Sequence, residues 1–393
     1  MDQDMPFGDF GNYRDFVDDL AVELLLTSDP ELDPLNVSSI SWMNQKKTPL
    51  EYLDNIYTRD GVCYNFNMLN INDILKDPEE YAQNVSAKVQ KIKGWSLDEG
   101  YPDAFVTDSF PRRTSLSGVS GGFVFDSMYV NSSHLDYVCG DSLQGFKVVL
   151  HHPADYPNLD KYFRVPLDTG VYVGIKPRYT TISEELKHYS PKDRKCYLSN
   201  EKPLSYFKTY TQNNCMEECF ANYTLKTCGC QSFYMPKLPD SLICGPGKRK
   251  CVDDSRVNYV KDNANECDCL PSCTSLEYDV ELTQSVWDWK STLTTFNELG
   301  LEKHLEHWKW AHLSRLAVYF KENQFLNSER QELYGVVDFF ANIGGLMGLF
   351  TGFSVTSFVE IVYFCTLRLW CNCKKYGRRY WSGEAELLEE KDE

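Results

Sequence analysis

The chain has 393 residues, 42% of them hydrophobic, enough apolar material to bury a core in one large or two medium domains. A formal charge of -17 argues against nucleic acid as a partner and gives a surface that attracts cations. The mean hydropathy is negative, so most of the chain lives in water.

Taken from the start, residues 1–57 carry only a short apolar patch, "LAVELLL", flanked by acids. It is neither a membrane span nor a signal peptide, and the segment is left as finger-like or as a non-native start. Of the fifteen cysteines, twelve lie between Cys63 and Cys273. Four N-x-S/T sequons, at Asn36, Asn84, Asn131 and Asn222, fall in the same region of the chain. Paired cysteines and sequons together describe an oxidising, lumenal or extracellular setting and candidate glycosylation sites.

Gly118 to Gly122 satisfies G-x-S-x-G, the nucleophile elbow of hydrolases. That elbow needs a buried strand before it and a helix after it, whereas "PRRTSLS" precedes and the strand-like "FVFDSMYV" follows. It is a glycine-rich turn, and no phosphate loop or dinucleotide fingerprint is visible. "GFKVVLHHP", "VYVGIKP", "SLEYDVEL" and "RLAVYF" alternate or run apolar and β-rich, as strands of a central sheet do. "VWDWKSTLTTFNELG" has the pattern of a helix. His304, His307 and His312 follow on a helical stretch without H-E-x-x-H, and are surface or packing histidines.

The cysteine clusters around 228–230 and 267–273 lack the paired C-x2-C knuckles of zinc sites, so no metal is assigned. Cys215 and Cys219 are four apart, one helical turn, and so are Cys269 and Cys273. Two such segments running antiparallel would meet as rungs of a ladder.

From Val336 to Trp370 only Asp338, Glu360 and Arg368 are charged, and Lys374, Lys375, Arg378 and Arg379 follow. By the positive-inside rule that basic flank is cytoplasmic and the cysteine-rich body lies outside. Cys365, Cys371 and Cys373 then sit at the inner leaflet as free thiols or palmitoylation candidates. The closing "GEAELLEEKDE" is a short acidic tail.

As one straight helix, Val336 to Trp370 would extend roughly 50 Å against a hydrocarbon core of about 30 Å. Either it starts above the membrane or it breaks, and Thr351, Gly352 and Ser354 mark where an unwound stretch would expose carbonyls. In lipid such carbonyls need protein or water to face. Gly344, Gly348 and Gly352 recur every four residues and let backbones approach closely. Glu360, two turns below the break, belongs in an aqueous path, where symmetry would make it an acidic ring for cations.

"LYGVVDFFANIGGLMGLFTGFSVTSFVEIVYF" resembles the second transmembrane segment of the degenerin, epithelial sodium channel and acid-sensing ion channel superfamily. Its G-x-S filter motif matches Gly352, Phe353 and Ser354. "GVCYNFN", "GFKVVLHHPADYP", "KCYLSNEKPLSYFKTYTQNNCMEEC", "CGCQSFYMP" and "CDCLPSC" are similar to the insect pickpocket branch, so the likeness covers roughly Thr58 to Trp370.

The resemblance implies an α+β, disulfide-rich extracellular domain of palm sheet, finger, thumb and knuckle, followed by one long broken transmembrane helix. The implied divisions are 58–335 for the ectodomain, with its thumb at about 190–275, then 336–370 for the pore helix and 371–393 for a cytoplasmic tail. It implies a homo- or hetero-trimer with related subunits, set among membrane lipids of the plasma membrane, sodium-selective and blocked by amiloride. The permeant ion is Na+ and no cofactor is implied.

Carried over residue by residue, the thumb pattern implies disulfides Cys196–Cys273, Cys215–Cys269, Cys219–Cys267, Cys228–Cys251 and Cys230–Cys244. Cys63 normally pairs upstream in the family; with no cysteine before it here, Cys139 is its expected partner. Ala341 matches the degenerin position at the outer mouth, and Asn342 replaces the aspartate often found next to it. Gly344, Gly345 and Gly348 are the expected packing face of the pore helix and Glu360 its inner cation ring.

The family's first transmembrane helix and His-Gly motif have no counterpart in the sequence. The expectation is therefore a truncated isoform, fragment or gene model. Its alternative role is a non-conducting subunit or single-span receptor that modulates a full-length channel. The stimulus that opens such a channel is not written in these motifs.

Overall fold

The computed structural model describes residues 14–18, 39–77, 95–98, 100–101, 110–134, 143–238, 241–263, 267–298, 308–378 and 381–382. Asn36, Asn84, Cys139, His304, His307 and the acidic tail from 383 lie outside them. The chain divides into two units, Met1–Arg330 and Gln331–Glu393.

In the first unit, the short strand β1 (Phe16–Val17) is followed by β2 (Ile40–Trp42) and β3 (Gln45–Lys47), a tight hairpin whose turn residues Met43 and Asn44 have φ of 51° and 60°. Positive φ at both turn positions gives the hairpin the right-handed twist of its strands. A second hairpin, β4 (Leu53–Thr58) and β5 (Gly61–Phe66), stands apart from the main sheet. Gly118 to Gly122 form a single tight turn before β6 (Phe123–Asn131). Then come β7 (Phe146–Val148), β8 (Phe163–Val165) and the long β9 (Thr169–Ile182).

The cysteine-rich stretch holds α1 (Gln212–Cys228), β10 (Ile243–Cys244) and α2 (Arg249–Asn258). The Thr211 side chain caps α1 by accepting the Asn214 N–H, and Gly229 ends it at φ 73°. Beyond it follow β11 (Ser275–Val286), α3 (Trp289–Glu298), β12 (Ala311–Phe320) and β13 (Asn327–Arg330).

The main sheet runs β11-β9-β12-β6-β2-β3, with β13 also on β9. β9 organises it. Val171, Val173 and Ile175 alternate on one buried face, the period of a strand. β11 pairs antiparallel along its whole length, while β12 and β13 pair parallel to it in succession. The core beside this face comprises Ile40, Phe125, Met128, Val165 and Leu316.

Two outcomes differ from the sequence expectation. β7 pairs only with β8 and is not a strand of the central sheet. Phe146 and Val148 pack against the core beside that sheet, so the apolar alternation there serves packing rather than strand pairing. Conversely, Ile40 to Lys47, within the segment left unassigned, supplies two strands of the sheet.

The second unit contains α4 (Val336–Thr351), α5 (Val355–Val362), a π-helical turn at Tyr363–Arg368, and α6 (Leu369–Tyr376). None of the described residues in α4, α5 or α6 is buried.

Candidate functional site

The cysteine-rich stretch is organised by α1. It carries Cys215 and Cys219, bonded to Cys269 and Cys267, while Cys196 bonds Cys273, Cys228 bonds Cys251 on α2 and Cys230 bonds Cys244. The spacing expectation is corrected in one respect: residues 267–273 are not helical but irregular, and Asp268 between Cys267 and Cys269 is left-handed at φ 48°. Four helical residues rise about 6 Å, so C-x3-C on successive turns of α1 meets C-x-C on an irregular loop rung for rung. Cys63 is a free thiol with Thr58 Oγ1 3.2 Å from its sulfur; Cys139, its expected partner, lies outside the described residues.

Buried polar groups fix this body. The Glu218 carboxylate accepts the Ser205 and Tyr206 N–H groups at 2.8 and 2.9 Å. Asn214 accepts from Tyr156 N–H and donates to the Ala154 carbonyl. His312 stands on β12 rather than a helix, 2.6 Å from Asp168, whose other oxygen accepts the Trp289 indole N–H. Burial pushes the Asp168 carboxyl up, but the Trp289 and His312 hydrogen bonds outweigh it and hold it below the ordinary range. Sequence reasoning missed this node because its members lie 121 and 144 positions apart.

The second unit is built around an interruption. The Asp338 carboxylate accepts the Gly335 N–H and starts α4. Gly352 stops it, with φ 61° and ψ 22° and its N–H on the Gly348 carbonyl. Left-handed backbone costs an L-residue about 1 to 2 kcal/mol, so glycine is demanded here by conformation. Phe353 N–H turns back to the Met347 carbonyl, and Thr351 Oγ1 donates to the same carbonyl. Ser354 is extended and its hydroxyl accepts the Ser357 N–H, which starts α5.

Gly352, Phe353 and Ser354 are thus the three non-helical residues between two helices, Val336–Thr351 and Val355–Tyr376, bent by 89°. A helix that stops leaves the carbonyls of its last turn without helical partners. Among the described residues no single helix is long and apolar enough to cross a membrane; this bent pair passes on length and composition together.

Ala341 and Asn342 lie exposed on α4, before the break, and Glu360 lies exposed on α5, six residues past Ser354. A β-carbon added at Gly344 or Gly345 would meet nothing, and one at Gly348 would only approach the Phe353 carbonyl at 3.8 Å. Nothing among the described residues requires those three glycines. Of the sequons, Asn131 closes β6, where its side chain accepts the Ser133 N–H and hydroxyl; Asn222 is on α1 and accepts the Tyr206 hydroxyl.

A family profile described as amiloride-sensitive sodium channel matches residues 22–364. The chain belongs to the amiloride-sensitive sodium channel family. Pickpocket protein 28 of Drosophila melanogaster is 29% identical over 345 residues, covering 83% of this chain and 55% of that protein. The sodium channel protein Nach of the same fly is 24% identical, covering 68% of this chain and 48% of its own length. Acid-sensing ion channel 1C of Danio rerio is 26% identical, covering 65% and 47%. The chain spans about half the length of these relatives. In this family of channels, rather than enzymes, the G-x-S-x-G turn has no catalytic meaning.

Proposed function

We propose that the chain is a subunit of a sodium-selective, amiloride-sensitive cation channel of the plasma membrane. Its first unit faces the exterior and its C-terminus the cytoplasm. It assembles as a homo- or hetero-trimer with related subunits, in contact with membrane lipids. The permeant ion is Na+ and the function requires no cofactor.

One observation carries this reading: the helix is interrupted at Gly352, Phe353 and Ser354, with a 89° bend. In hydrocarbon, unpaired carbonyls at such a break are tolerated only against protein or water. Three copies around an axis would supply both, with carbonyl and hydroxyl oxygens replacing part of a sodium ion's water shell. Gly344, Gly345 and Gly348 support assembly, since no described residue packs closely where their side chains would be, and their lack of side chains suits close approach of a neighbouring helix. Ala341 and Asn342 then line the outer mouth and Glu360 forms the inner ring. Residues 58–335, 336–370 and 371–393 take the parts of ectodomain, pore helix and inner tail, and Asn36, Asn84, Asn131 and Asn222 are glycan acceptors.

The test is co-expression with a full-length relative and measurement of current and ion preference. Gly352→Asp and Ser354→Cys are each expected to lower the sodium over potassium preference severalfold, and Ser354→Cys to make the current sensitive to impermeant thiol reagents. If the chain only scales the relative's current, and both variants leave selectivity and reagent sensitivity untouched, it is a modulatory subunit and the filter assignment fails.

A further inference from the structure

The short strand β10 has neighbours on both sides. On one side Gln231 bonds it: the Gln231 N–H donates to the Leu242 carbonyl and its carbonyl accepts the Cys244 N–H, both at 2.9 Å. On the other side β1 lies antiparallel, with Phe16 opposite Cys244 and Val17 opposite Ile243. The pairing continues past the strand. The Gly245 N–H donates to the Asp15 carbonyl at 2.8 Å and the Gly247 N–H to the Arg14 carbonyl at 3.0 Å. This is the geometry of strand addition, in which an extended segment is held by main-chain bonds to a sheet edge.

Two residues shape that edge to its occupant. Lys248 meets the side chains: its ammonium lies 3.7 Å from the Asp15 carboxylate and 5.8 Å from the centroid of the Phe16 ring. Gly245 makes room for the backbone. Its φ of -88° and ψ of 179° are open to any residue, yet a β-carbon there would stand 2.5 Å from the Arg14 carbonyl oxygen and 3.1 Å from the carbonyl carbons of Asp15 and Phe16. Glycine is therefore demanded by the segment lying on it and not by its own conformation.

The edge is rigid and the occupant is held lightly. Cys230–Cys244 ties β10 to the end of α1, and Cys228–Cys251 ties α1 to α2. Arg14, Asp15 and Phe16, by contrast, stay exposed. A surface ion pair adds little, and two main-chain bonds give a modest net gain against the entropy of ordering four residues. Val17 and Gly245 line the same cavity as Arg59, Asp60 and Val62 of the β4–β5 hairpin, so the occupied edge closes part of its wall.

We propose that the edge from Ile243 to Gly247 is a peptide-docking slot for an extended segment carrying a carboxylate directly before an aromatic ring, and that residues 14–17 are its displaceable resident occupant. Occupied, the slot gains a strand and closes the cavity wall. Vacated, it opens the Gly245 and Gly247 N–H groups to water and to another segment of the same pattern.

The test is hydrogen exchange of the full oxidised chain, read by mass spectrometry over residues 243–248 with α1 as internal control. Gly245→Ala is expected to speed exchange there roughly tenfold while α1 keeps the parent's rate, because the added carbon evicts the segment. Phe16→Gly combined with Val17→Gly weakens the occupant, leaves the slot intact and is expected to act in the same direction. A synthetic peptide of sequence RDFVD then restores protection in the Phe16→Gly, Val17→Gly chain but not in Gly245→Ala, and a scrambled peptide restores neither. Unchanged exchange in either variant overturns the docked segment. Faster exchange that RDFVD does not reverse, or that the scrambled peptide reverses equally, overturns the slot. If Gly245→Ala also speeds α1, the Phe16→Gly, Val17→Gly chain decides by the same outcomes.

Discussion

His152 and Asp155 show how two neighbouring residues set opposite pH responses. His152 Nδ1 accepts the Ala154 N–H, its ring lies 5.8 Å from that of Trp95, and burial together with His151 lowers its pKa to about 4. Burial raises the Asp155 carboxyl to about 6, against the pull of Thr211 and Lys161. The Asp155 contribution is fully present below its ordinary value of 3.8 and is lost as pH rises through about 6. The His152 contribution is present above 6.5 and is lost as pH falls through about 4. The windows overlap with opposite slopes. Between pH 4 and 6, His152→Gln is therefore expected to give a thermal midpoint that falls with pH, and Asp155→Asn one that rises. Thermal scans of the purified chain decide it; two profiles parallel to the parent's would show that neither group titrates as described. The histidines were visible in "GFKVVLHHPADYP", but their burial depends on Trp95, more than fifty positions upstream, which no local pattern reveals.

At the level of elements, the sequence displayed what local periodicity encodes. The alternation in Thr169–Ile182 announces β9, and the glycine and hydroxyl cluster at 351–354 announces the helix break. It did not display partners. Apolar alternation is the same whether a strand pairs within the sheet or packs beside it, so the pattern of β7 does not reveal that it pairs only with β8 among the described strands, nor does the Ile40–Lys47 hairpin announce its place in the sheet. The turn of that hairpin uses Met43 at positive φ, a residue type that gives no turn signal. Ladder geometry is half legible: the helical side follows from C-x3-C, whereas the irregular side, with Asp268 at φ 48°, needs coordinates. The Cys215–Cys269 bridge spans 54 positions of chain, but Cys219–Cys267 ties the same two segments, four and two positions away, so the loop that Cys215–Cys269 closes by itself is short. On the chain-entropy account for a loop of about six residues its loss costs about 2 kcal/mol. Replacing Cys215 and Cys269 by serine is expected to lower the thermal midpoint of the oxidised chain modestly, and replacing Cys219 and Cys267 as well to lower it by more than about twice as much. An equal shift for the two-cysteine and four-cysteine variants would rule out loop closure as the source.

For the molecule as a whole, the family assignment and the basic flank at Lys374 and Lys375 predict opposite sides of a membrane for Asn131 and Cys371. Asn131→Gln and Asn222→Gln are each expected to remove one glycan-sized step in electrophoretic mobility, erased in the parent by an endoglycosidase. A chain indifferent to both substitutions and to the enzyme would never have entered the secretory compartment. The arrangement of β13 has a mechanical corollary. Its four residues lie parallel to the far end of β9, from Tyr179 to Ile182, and the Ser183 N–H adds a bond to the Arg330 carbonyl. Tension applied along the polypeptide past Arg330 pulls lengthwise on that ladder, so its bonds bear the load in shear and together instead of peeling open one after another. The strand acts as a strain-relief clamp, letting a tug on the downstream chain be felt by the long central strand before it can unravel the sheet.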